Sequence, residues 1–316
     1  MSALYDLKKR LTLDITPRFI LASIIQDSAE RDPVHEQILL LRFAAEWTCC
    51  CQADIRTRGE EIMPSILWDH SVHYVNDLDL AIRQFTEHGL RACRGGSHTS
   101  WGTHNALSYF GLTYHEFLAI ENQALAEQTD HHNHVVRDAV QALPLHQGLS
   151  RVALRTDDIE VVSARLQRLD LEVAPIIDGH RLNLQGKLIE WRMLNICGDF
   201  QGLRYPFIIQ WKGSDDERLA SLQELGVIQP HPVGLVVLAE AEFTVQDPQA
   251  TAAHWSRVFG FPLTELQGDP ALQVADKLFR FRAGENNQLA QLNFLTDSSV
   301  LRGQTLQIGE GRYTFS

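Results

Sequence analysis

The stretch SVHYVNDLDLAIRQFTEHGLRA, residues 71–92, can be laid on VALRTDDIEVVSARLQRLDLEV, residues 152–173, at a constant offset of 81. The match is one of pattern. Asp77 falls on Asp158, Leu78 on Ile159, Ala81 on Val162, Phe85 on Leu166 and Leu90 on Leu171, so both segments space apolar residues with the period of an amphipathic helix. Asn76 and Asp157 stand where N-caps are expected, their side chains able to accept the orphan N–H groups of a first turn. A strand-like run precedes each cap. Each unit therefore reads strand, cap, helix.

The chain after each helix is strand-rich. LRACRGG, THNALSYFG and TYHEFLAIENQ come after the first, and LEVAPIID, KLIEWRMLNI and YPFIIQWKG after the second, all bounded by Gly, Asn, Asp or Pro turn signals. That is βαβββ twice over. A third, more divergent copy starts at HPVGLVVLAEAEFTV (231–245), continues through a helix in DPQATAAHWSRVFG (247–260), and ends in ALQVADKLFRFRAG and LAQLNFLT. The polar segment 212–226 reads as the connection. The expected fold is α+β, with two βαβββ modules over residues 63–213 paired around a cleft and a third related module over 227–316.

Residues 1–62 share none of this. They hold a helix-like patch, VHEQILLLRFAAEW (34–47), followed by TCCCQADIRTRGEE without a clear period. RGEEIM (58–63) is what a purine-rich run ahead of an ATG would encode. Two readings stand: a helical N-terminal extension, or translation from Met63.

The chain has 316 residues, enough for one large or several modest cores. With 28 Lys+Arg against 40 Asp+Glu, its net charge of −12 disfavours phosphate backbones and anionic lipid, so neither nucleic acid nor membrane is an expected partner. No apolar run reaches the ~18 residues of a membrane span, and the N-terminus lacks a secretion signal. The five cysteines are odd in number and three are adjacent, which suits reduced thiols in the cytoplasm better than a disulfide framework.

DHSVHYVNDLDLAIRQFTEHGLRACRGGSHTSWGTHNALSYFGLTYHEFLAIEN, residues 69–122, resembles the glyoxalase-like branch of the vicinal oxygen chelate superfamily, and GGSHTSWGTHNAL (95–107) is its most specific part. The resemblance covers residues 66–213 well, 227–300 loosely and 1–62 not at all. It implies two βαβββ modules curled around a cleft, where a histidine near the start of the first strand and a glutamate on the fourth strand bind a divalent metal. His70 and Glu116 fall on those positions. An imidazole with a carboxylate suits Zn, Fe, Mn, Ni or Co alike. Since side chains alternate along a strand, His73 points away from the face that carries His70.

The second module departs from this pattern. At the offset of 81 the position of His70 is taken by Arg151, a permanent cation that cannot ligate a metal. On the fourth strand of that module Gln210 offers an oxygen ligand or a substrate partner, in a register uncertain by one residue. His98, Trp101 and Asn105, set among turn glycines, form a candidate ligand-binding loop, with an Ω-type structural loop as the alternative. Trp101, Trp191 and Trp211 are candidates for stacking a ligand. His70 has a plainer reading as a hydrogen-bonded core histidine, and Glu116 as a surface residue. DHHNHVV (130–136) reads as a solvated linker.

Two function classes are compatible with these residues. One is a divalent-metal-dependent enzyme, of lyase, isomerase or dioxygenase type, acting on a small oxygen-bearing substrate. The other is a metal-free protein of the same fold that binds a small molecule or sequesters an antibiotic. The fold hosts both. A homodimer is one assembly open to such a chain.

Overall fold

The computed structural model describes residues 64–183 and 186–316. The expectations for residues 1–62 and for Met63 lie outside the described residues. The first unit comprises β1 (Ile66–Tyr74), α1 (Leu78–Glu87), β2 (Cys93–His98), β3 (Thr103–Phe110) and β4 (Thr113–Ile120). Two short helices, α2 (Gln123–Glu127) and α3 (His134–Ala142), lead to the second unit. That unit has β5 (Leu149–Thr156), α4 (Ile159–Arg168), β6 (Ile177–Leu182), β7 (Leu188–Leu194) and β10 (Phe207–Trp211), with a small hairpin of β8 (Asp199–Phe200) and β9 (Leu203–Arg204) before the last strand.

Helix α1 buries Leu78, Ala81 and Phe85, and α4 buries Ile159, Val162 and Leu166, as the shared spacing predicts. The caps lie one residue later than expected. Asp77 accepts from the N–H groups of Asp79 and Leu80, and Asp158 accepts from that of Val161. Asn76 instead spends its side chain on the Pro144 carbonyl, tying the strand end to the segment before β5.

Strands β1 and β4 are parallel, as are β5 and β10, and β1 pairs with β5 antiparallel. A second seam between β2 and β6 closes the order β1-β4-β3-β2-β6-β7-β10-β5 into a barrel. Gly96 makes that seam possible: at φ +142°, a Cβ there would sit 2.1 Å from the Leu182 carbonyl oxygen.

Beyond α5 (Asp215–Glu224), the rest of the chain forms a seven-stranded sheet. It contains β11 (Val236–Val245), α6 (Pro248–Phe259), β12 (Leu263–Leu266), β13 (Asp269–Val274) and β14 (Lys277–Ala283), then β15 (Gln288–Thr296), β16 (Thr305–Ile308) and β17 (Gly311–Phe315). The pairings β11 with β14, β11 with β15 and β15 with β17 repeat those of β1, β4, β5 and β10. The third copy is thus followed by three strands laid out like part of a fourth, with no helix between β15 and β16. This sheet stays open, ending at β12 and β16.

Barrel and sheet share one apolar core. Trp68 meets Phe279 edge-on at 5.3 Å between ring centroids, and Phe85 meets Tyr313 at 5.2 Å. Each such ring, fully buried, contributes about 1.5–3 kcal/mol of transfer free energy. His73 is explained here. It lies on the sheet side of β1, hydrogen bonded to the Tyr313 hydroxyl, which also bonds His115 Nε2 at 2.8 Å, while His115 Nδ1 bonds Ser71 at 2.8 Å. Burial pushes the His73 pKa down to about 3, so it is a neutral packing group. Among the described residues no helix is long and apolar enough to cross a membrane.

Candidate functional site

The barrel holds a pocket open to solvent at one side. His70 of β1, Tyr114, Glu116 and Leu118 of β4, and Thr103 and Asn105 of β3 form one side, and His98 and Trp101 close one end. From the second unit come Arg181, Trp191, Met193, Phe207, Ile209 and Trp211.

His70 is 3 % exposed and held from behind. Its Nδ1 lies 2.7 Å from Asp69 Oδ1, while the Trp211 indole and the Arg218 guanidinium donate to Asp69 Oδ2 at 3.0 and 3.1 Å. Burial alone would raise the Asp69 pKa. The Arg218 charge, the His70 hydrogen bond and the charges of His70 and Arg155 outweigh it and hold the carboxyl well below the usual carboxylate range. An ionised Asp69 accepts from His70 Nδ1–H and leaves the Nε2 edge of the ring facing the cavity. That nitrogen lies 3.5 Å from Glu116 Oε2, and the Asn105 amide donates to Glu116 Oε1 at 2.6 Å.

His98 bonds Thr103 Oγ1 through Nδ1 at 2.9 Å, and burial drives its pKa down to about 3, so it is neutral at pH 7. Trp191 stands 5.7 Å from His98, 5.8 Å from Trp101 and 5.7 Å from Trp211 between ring centroids, making an aromatic wall. The GGSHTSWGTHN motif is a hairpin rather than an Ω loop, because Gly95 and Gly96 belong to β2. A Cβ on Gly95 would come 2.2 Å from Asn105 Oδ1, so the glycine makes room for the asparagine that grips Glu116.

The structure thus brings His70, Glu116, His98, Trp101 and Asn105 to one cavity. Two residues expected there are elsewhere. Arg151 is buried, but its guanidinium pairs with Asp138 of α3, outside the cavity lining. Gln210 is turned outward: Phe207, Ile209 and Trp211 take the inward positions of β10, and the Gln210 amide donates at 2.6 Å to the Asp157 carbonyl beside the α4 cap. The one-residue register question resolves against it. Asp69, Tyr114, Arg181 and Arg218 were not expected. The pair Asp69-His70 in WDHSVH was a visible signal for the first, whereas nothing in DGHRL marks Arg181 as inward-facing.

In the turn before α3, Asp130, His131 and His132 converge, with Asp130 Oδ1 2.8 Å from His132 Nδ1 and 3.5 Å from His131 Nδ1. Among the described residues this surface trio alone brings three His, Cys, Asp or Glu ligand atoms within 4.8 Å of one another. The cavity lining holds three residues of these types, of which His70 and Glu116 bring their ligand atoms to 3.5 Å, with His98 the third.

A barrel closed by two βαβββ units around a histidine-and-glutamate cavity is a vicinal oxygen chelate fold. A model of the glyoxalase-like domain family matches residues 68–259, well over half of the chain, and the chain belongs to that family. A crystal structure of a hypothetical protein from Staphylococcus aureus is similar at 25 % identity and a TM-score of 0.70, over 79 % of this chain and 99 % of that one. A methylmalonyl-CoA epimerase from Mycobacterium tuberculosis is similar at 15 % identity and a TM-score of 0.33, over 49 % of this chain and 91 % of its own. A mutant 4-hydroxymandelate synthase from Streptomyces coelicolor is similar at 12 % identity and a TM-score of 0.46, over 75 % of this chain and 72 % of its own. No curated protein matches the sequence.

Proposed function

We propose that this barrel cavity is the active site of a glyoxalase-like enzyme acting on a small oxygen-bearing substrate, with His70 and Glu116 holding a divalent cation. The observation that supports it is the pair of outer contacts. Asp69 accepts a hydrogen bond from His70 Nδ1–H, and Asn105 donates to Glu116, which leaves Nε2 and Oε2 facing each other at 3.5 Å. Metal-binding histidines and carboxylates commonly carry such partners. Two donors, each about 2.1 Å from one ion, stand roughly 3.0–3.4 Å apart, so this pair fits with little movement.

When bound, the ion supplies polarisation of a substrate carbonyl. The chain does the rest. Trp101, Trp191 and Trp211 exclude water and hold a flat substrate body, and neutral His98 presents Nε2 near Asn105 as a hydrogen-bonding group that positions the substrate. Lyase, isomerase and dioxygenase chemistry all begin from such a site.

The second reading is a metal-free binding protein, favoured by the second unit, whose share of the cavity is apolar apart from Arg181. Metal analysis separates the two. Protein purified without added metal, then offered Zn, Fe, Mn, Ni or Co, should hold about one ion per chain, lost in His70→Ala and in Glu116→Gln. Failure of the wild type to retain any of these ions, or retention unchanged by both substitutions, rejects the metal site in favour of the metal-free reading.

A further inference from the structure

We propose that the ligand of the cavity is a small carboxylate with a flat apolar body, its carboxylate seated on Arg181 and its body against the tryptophan wall. This rests on reading the cavity as a ligand site and adds the ligand's charge. Arg181 projects from β6, is 8 % exposed and lines the cavity. Its Nη1 donates to the Gly95 carbonyl, a neutral acceptor that offsets none of its charge.

The barrel's other well-buried arginines are each matched by an acid: Arg151 by Asp138, Arg155 by Asp215 and Arg218 by Asp69. Among the described residues, no carboxylate forms an ion pair with Arg181. A guanidinium cannot shed its proton near neutral pH, and a buried charge without a partner is costly. An anionic ligand would remove that cost, and a planar carboxylate can accept two parallel N–H donors from the guanidinium. The rest of the requirement is set by the wall. Trp191 meets both Trp101 and Trp211 within 6 Å, which favours an aromatic or otherwise planar body.

Phenylacetate and its neutral isostere phenylacetamide test this, titrated against tryptophan fluorescence and by calorimetry, with EDTA present so that no metal ion contributes. The wild type should bind phenylacetate at least about tenfold tighter than the amide, the worth of one charge-assisted hydrogen-bond pair. Arg181→Gln should erase that preference while leaving amide binding in place, and Arg181→Lys should keep part of it. Equal affinity for acid and amide in the wild type, no binding of phenylacetate, or a preference untouched by Arg181→Gln would each overturn the proposal. Should Arg181→Gln not fold, the wild-type comparison and Arg181→Lys decide. A preference that appears only when metal is restored would also overturn it, while leaving the His70 and Glu116 reading standing. A preference that persists in His70→Ala supports the proposal, whatever the metal content of that variant.

Discussion

The two halves of the barrel share a fold and divide the chemistry between them. The first half gives the cavity its titratable groups, His70, His98 and Glu116, together with Asn105, while the second gives Trp191, Met193, Phe207, Ile209, Trp211 and one cation. In the seven-stranded sheet the corresponding positions change again. At the offset that lays the cap Asp247 on Asp77, Glu240 falls on His70. Arg280, in register with Glu242, takes the place that Glu116 has beside Val72. There Arg280 lies 4.0 Å from both Glu240 and Glu242 and pairs with Asp269, so its charge is met by acids of the same cluster. The lesson is that the strand positions persist from copy to copy while their occupants decide whether a ligand is needed.

The largest effect should come from removing the support of the donor half. Asp69→Ala leaves Arg218 buried without its acid and His70 without its partner, and should cost about 3–5 kcal/mol in urea denaturation. A loss below about 1 kcal/mol would mean that Asp69 is not ionised in the folded state. Arg151→Met tests the other half. Because Arg204 remains 3.2 Å from Asp138, the cost should be smaller, about 1–2 kcal/mol, with metal content and ligand preference unchanged. Altered ligand binding in that variant would return Arg151 to the cavity.

Acidity gives a third test. His73 and His98 have folded pKa values lowered to about 3 from 6.5, so the unfolded chain takes up their protons first as pH falls. Their stabilisation is complete above about pH 6.5 and is lost on descending toward pH 3, at roughly 1.4 kcal/mol per pH unit for each group. His98→Gln should flatten that slope by one group's share. An unchanged slope would show that His98 is charged in the folded protein. The smallest effect belongs to Gln210→Ala, which loses its short bond to the Asp157 carbonyl and two longer ones from Ile159 N–H and Arg192, and should cost about 0.5–1.5 kcal/mol with no change in ligand binding.

The sequence displayed the paired modules because helix spacing survives divergence: Phe85 and Leu166 need only be apolar to mark the same turn. It was silent where facing depends on pleat and register. Arg151 and Gln210 sit on strands whose neighbours are apolar on both faces, so alternation gave no bearing. Arg181 lies on the barrel seam, where its partner is a backbone carbonyl with no side-chain signature. β15 was legible as a strand but read as the end of the third copy, and β16 and β17 escaped notice, because no helix accompanies them and a helix is what made the other copies visible. His70 and Glu116 were suggested by family resemblance rather than by any rule of spacing.

Helix α5 buries none of its residues fully and reads as a tether, yet Arg218 reaches from it to Asp69 and lies 4.3 Å over the Trp211 ring. The barrel is therefore not a unit that can be cut out at its last strand. A chain ended after β10 would keep all eight staves and lose the hand that steadies His70, so the borders of the working part and of the folded part do not coincide. An insertion between Trp211 and Arg218, in a stretch that looks as permissive as any surface linker, would be felt inside the cavity.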